Sequence, residues 1–96
     1  MQRITKANLE ALCDSINRAT GSPEAAYTKD ASGNYRGNPG NYHLDWAYGG
    51  VRIVRMCNEG GGITTVTEGF RSKRETYDLG HAYLRGIRDA SEPVTA

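Results

Sequence analysis

The sequence predicts a two-layer α+β domain, and three observations carry that prediction. Tyr42, Leu44, Trp46 and Tyr48 fall on alternate positions, the two-residue period of a half-buried strand. Leu9, Leu12, Cys13 and Ile16 follow the i, i+3, i+4, i+7 spacing of one apolar helix face. Ser72 and Glu75 make the Ser-x-x-Glu capping box that opens a helix.

In chain order, the first helix is expected from about Thr5 to Ala19. Thr5 serves as its cap, and Gly21 with Pro23 ends it. Glu10, Asp14, Asn17 and Arg18 lie largely off its apolar face. Residues 22–41 are rich in Gly, Pro, Asn and Ser, which is turn chemistry. A loop of about twenty residues is long for a compact domain, and loops of that length are often functional or mobile. Within it, Tyr27-Thr28-Lys29 and Tyr35-Arg36 can form a small hairpin around residues 30–34. Tyr27 and Tyr35 then either serve a lid or interface, or pin the loop to the core.

Three antiparallel strands follow. The first covers residues 42–48, and Gly49-Gly50 supplies the positive φ of a tight turn. The second is the β-branched run from Val51 to Cys57. The third is Ile63 to Glu68, after the triple glycine 60–62. The last helix is expected from about Lys73 to Arg88. Its inner stripe is Thr76, Leu79, Gly80, Tyr83, Leu84 and Ile87, and Gly80 is read as a point of close approach to the sheet. Ser91 to Ala96 reads as a frayed tail. The whole is one domain, residues 1–96, with both helices on one sheet face. The other face is left to solvent, a ligand or another copy of the chain. Alternation does not say which face carries Trp46.

Composition narrows the function classes. The net charge of +1 gives no bulk attraction to nucleic acid or acidic membranes, so anion binding must come from local clustering. No run approaches the ~20 apolar residues of a membrane span, and the N-terminus lacks a secretory core. A cytoplasmic location is the expectation. Cys13 and Cys57 match no metal spacing. They read as a buried, reduced pair, with a disulfide as the alternative. A chain this short buries a modest core, and self-association is a common remedy. A homo-oligomer is therefore expected.

The sharpest local anomaly is Arg71-Ser72-Lys73-Arg74. Three cations open a helix where the macrodipole prefers anions, and helix N-termini bind phosphate through free amides. The reading is a phosphate or carboxylate site. The alternative is a solvated basic turn neutralised by Glu68, Glu75 and Asp78. Arg52 and Arg55, three apart on a strand, point to opposite faces, and Asp45 can pair with either. Trp46, Tyr48 and Tyr42 can supply an aromatic wall, and Gly61 a backbone amide that approaches a ligand. The glycines form neither a Walker loop nor a dinucleotide fingerprint. His43 and His81 are isolated from nucleophiles and metal spacings. No catalytic triad, carboxylate pair, metal site or cofactor motif emerges, and the expectation is a protein that is not an enzyme.

Gly40-Asn41-Tyr42-His43-Leu44-Asp45-Trp46-Ala47-Tyr48-Gly49-Gly50 is followed by Arg55-Met56, Asn58-Glu59-Gly60-Gly61-Gly62 and Lys73-Arg74-Glu75-x-Tyr77. With Arg3-Ile4-Thr5-Lys6 and Leu9-Glu10 these segments resemble small accessory proteins of tailed bacteriophages. The resemblance covers most of the chain and carries no catalytic residues over. It implies a setting, the cytoplasm of an infected bacterium, and a counter-defence role. That role is either blocking a host defence protein or sequestering a nucleotide immune signal without turnover. Sequestration is the expected role, with Arg71 to Arg74 and at most one of Arg52 and Arg55 taking phosphates and the aromatics a base. The alternatives are a module like a double-stranded RNA-binding domain, against which the near-neutral charge weighs, and a protein-protein inhibitor built around Trp46.

Overall fold

The structure, a computed structural model, describes residues 3–91. Two helices and two small antiparallel sheets make up an α+β fold. Helix α1 (Lys6–Thr20) begins at Thr5, whose hydroxyl accepts from the Asn8 N–H while the Asn8 side chain accepts from the Thr5 N–H. This is a capping box with Asn in place of Glu. Gly21, at φ 68°, and Ser22 return their N–H groups to Arg18 and Asn17 and close the helix as a Schellman motif.

Strands β1 (Tyr27–Lys29) and β2 (Tyr35–Gly37) form the small hairpin inside the 22–41 segment. Asp30 organises its turn, accepting from the Ser32 and Asn34 N–H groups. Those bonds hold its carboxyl below the usual carboxylate range. The main sheet has the order β3 (Tyr42–Ala47), β4 (Gly50–Met56), β5 (Ile63–Thr65), all antiparallel. The β3–β4 turn is Tyr48-Gly49 rather than Gly49-Gly50. Both turn residues have positive φ, 52° and 72°, the pattern of a type I′ turn. Gly50 belongs to β4 for a steric reason: a Cβ there would lie 2.7 Å from the Phe70 backbone. After β5 the chain folds back and Arg71 rejoins β4 in a backbone bridge to Val51.

Cross-strand partners share a face, so Tyr42, Leu44 and Trp46 lie with Arg55, Ile53 and Val51. That face carries the helices. The core joins Leu12, Cys13 and Ile16 of α1 to Tyr42, Ile53 and Leu84. Trp46 therefore belongs to the helix side of the sheet. Helix α2 (Lys73–Ser91) starts at the residue the capping box indicated, with the Glu75 N–H donating to Ser72 Oγ. Thr76, Gly80 and Leu84 are buried along it, but Leu79 and Tyr83 are 41% and 37% exposed, so the expected stripe is narrower. Gly80 is the close approach: a Cβ would meet Leu12 Cδ2 at 2.6 Å and Ile53 Cδ1 at 2.7 Å.

The second sheet face is not left open along its length. Val54 and Met56 are fully buried there, and Gly37 of β2 sits against Met56 so closely that a Cβ would lie 2.8 Å from its sulfur. Asn17, expected off the helix face, is buried, since it bonds the edge of β3. Cys13 is buried and Cys57 exposed; both are free thiols, not a buried pair. The expected tail lies, beyond Ser91, outside the described residues.

Candidate functional site

Six of the ten sequence-predicted site residues gather at one corner, where the β3–β4 turn meets the start of α2. Tyr48 at the turn tip is 93% exposed and meets Phe70 edge-on, with ring centroids 5.3 Å apart. Arg52 lays its guanidinium over the other part of this cluster, 4.5 Å from the Phe70 centroid. Its Nε donates to Asp45 Oδ2 at 2.8 Å and its Nη1 to Thr65 Oγ1 at 3.2 Å. Asp45 is thus the partner of Arg52, and that pair aligns the stack. Phe70 is the member the sequence reading missed. It stood outside every periodic run, and only the bridge between Arg71 and Val51 brings it over Gly50.

Arg71 braces the entry to α2. Its Nε donates to the Glu68 carbonyl at 2.7 Å and its Nη1 to Glu75 at 3.4 Å. The Ser72 hydroxyl and amide arrangement, with Arg71, holds the Glu75 carboxyl below its ordinary range. One of the three expected neutralising carboxylates therefore engages the cluster through Arg71. Lys73 and Arg74 stand exposed on the first turn of α2. The corner combines an exposed aromatic ring, a second ring beneath it and cations at a helix start.

The other four predicted residues lie elsewhere. Gly61 packs under Tyr27, whose hydroxyl would be 3.1 Å from a Cβ there, and it belongs to the β4–β5 connection. Asn58 organises that connection, accepting from Gly62 N–H through its side chain and from Gly61 N–H through its carbonyl. Val51 and Met56 are about 17 Å apart at ~3.4 Å per residue, so the glycine loop and the Arg71 corner occupy opposite ends of β4. Arg55 is exposed on the helix side, 5.9 Å from the Tyr42 ring. Tyr42 is buried and shares a 2.9 Å hydroxyl contact with Tyr83; burial and that contact push its phenol up to about 12.

Trp46 lines a different concavity, an open cleft of about 290 Å³ between α1, β3 and the 24–26 segment. Glu10, Asp14 and Glu24 line it with Lys6, so its charge is opposite to that of the corner. Cys13 also faces it, but burial pushes the thiol up to about 12 and leaves it protonated and unreactive. His43 bonds Asn41 and His81 meets Tyr77 edge-on, ring centroids 4.4 Å apart, so each histidine has its own neighbour. Among the described residues no group of His, Cys, Asp and Glu could hold a metal, and no helix is long and apolar enough to cross a membrane. Searches against family models, curated proteins and solved structures find no match to this chain.

Proposed function

We propose that this protein binds a phosphate-bearing, nucleotide-type ligand without turnover, at the corner formed by Tyr48, Phe70, Arg52 and the start of α2. One observation carries the reading: Tyr48 is held in left-handed backbone at φ 52°, its ring exposed and edge-on to Phe70, the residue that leads into the Arg71 to Arg74 segment. That backbone costs a non-glycine residue about 1–2 kcal/mol, and it is the position where Asn or Gly is ordinarily found. A bulky aromatic kept there suits a task outside the fold, and base stacking is one that exposed tyrosines perform. The phosphates fall to Lys73, Arg74 and the first amides of α2.

The phage-like resemblance adds the setting: an immune signal in an infected bacterium, removed by sequestration. The same corner also suits a nucleic-acid backbone, with Lys73 and Arg74 on phosphates. Calorimetric titration with cyclic di- and trinucleotides, ADP-ribose derivatives and a short RNA duplex tests the reading. Saturable binding of one nucleotide class, lost in Arg74→Glu with the fold intact, supports it. Binding of the duplex alone, falling steeply with salt, replaces it with the nucleic-acid reading. Unchanged affinity in Arg74→Glu removes the corner as the site.

A further inference from the structure

The second surface is the outer edge of β3. The ladder fixes which of its backbone groups face outward. Val51 exchanges both backbone bonds with Arg71, and Ile53 receives Val66 N–H while its own N–H donates to Thr67 Oγ1. Val51 and Ile53 thus direct their N–H and C=O groups away from β3. Their partners Trp46 and Leu44 must then direct theirs away from β4, to the sheet edge. The next residue of that edge set is Tyr42, and there the fold supplies a substitute strand. The Asn17 carboxamide accepts from the Tyr42 N–H at 2.7 Å and donates to its C=O at 3.0 Å. No such group serves Leu44 or Trp46 among the described residues. Both line the cleft beside α1, with Trp46 42% exposed; Asp14, Glu24 and Glu10 line it too, Glu10 pairing with Lys6 at 3.9 Å, so the carboxylates outnumber the one lysine.

We propose that this edge is a docking site for an extended, basic segment of a partner protein, added as a fourth strand beside β3. Asn17 sets the register, because it ends the free ladder at Tyr42. Alternate side chains of the incoming strand fall on the helix side, over Trp46 and toward Glu10 and Asp14. Lys or Arg at those alternate positions matches both the carboxylates and the indole face. A second copy of β3 fits less well. A two-fold pairing along this edge brings the Asp14 and Glu24 flanks of the two copies toward one another, which like charges oppose. The surface is separate from the Tyr48 corner, so either reading can fail without the other.

The single tryptophan is the reporter. The probe is the peptide acetyl-Lys-Val-Arg-Val-Lys-amide, titrated into the full chain. The expected result is a saturable change in Trp46 fluorescence. Affinity falls about tenfold or more in Glu10→Lys/Asp14→Lys, both exposed positions, and by a similar factor when alternate peptide amides are N-methylated. The acidic counterpart, with Glu in place of Lys and Arg, gives no change. Equal binding of the N-methylated peptide overturns strand addition in favour of simple charge attraction. Absence of binding overturns the site, and a concentration-dependent dimer that blocks the peptide assigns the edge to a second copy.

Discussion

Tyr48 combines a backbone penalty with a ring that the core does not use, and the two can be separated by substitution. Tyr48→Asn places a residue suited to the turn and is expected to leave stability unchanged or raise it by up to about 1 kcal/mol. The same change should lower nucleotide affinity about tenfold to a hundredfold, the loss of one stacked base. Denaturant melts beside calorimetry check both. Asn17 is the opposite case, a polar residue the fold cannot spare. Asn17→Ala leaves the Tyr42 N–H and C=O without partners and should cost on the order of 3 kcal/mol in urea unfolding. His43 gives a pH signature. Burial lowers its pKa from the ordinary 6.5, against a smaller raising effect of Asp45. On acidification the unfolded chain takes up the proton first. Its contribution is therefore present above pH 6.5 and lost as pH falls through the lowered folded value. His43→Gln should flatten the stability profile in that window.

The elements were largely legible because their signals are local. Apolar spacing gave α1, the Ser72 box gave the first residue of α2, and glycine-rich stretches marked the strand connections. The β3–β4 turn slipped by one residue because Gly49-Gly50 is the stronger local signal. The reason it moves is the Phe70 backbone over Gly50, a contact between residues twenty positions apart. Gly80 was read correctly as a close approach, since a glycine inside a helix otherwise costs stability. Gly80→Ala should accordingly destabilise, by about 1–3 kcal/mol, despite the better helix propensity of alanine. Thermal melts of that variant beside Gly86→Ala make the control, because a Cβ at Gly86 meets nothing within 4 Å. Gly86→Ala should stabilise.

At the scale of the molecule, strand order and face assignment divide what the sequence grouped together. Alternation predicted that Tyr42, Leu44 and Trp46 share a face, but only the α1 packing shows that it is the helix face. The long 22–41 segment gave its hairpin residues to inspection, yet its cover over Met56 depends on contacts distant in sequence. The candidate site was legible in its cations and in Tyr48, and illegible in Phe70, which local pattern does not mark. The described residues form a small fold with an aromatic corner next to the Arg71 to Arg74 segment and, elsewhere, a cleft lined by Glu10, Asp14 and Glu24 with Lys6. The proposed binding of a nucleotide-type ligand at the corner depends on Tyr48. Calorimetric titration of the same nucleotide panel into the parent chain and Tyr48→Asn tests it most directly. Saturable binding of one nucleotide class by the parent and a loss of tenfold or more in the variant, with its melting temperature maintained, are the expected results. Equal affinity in a folded Tyr48→Asn would contradict it.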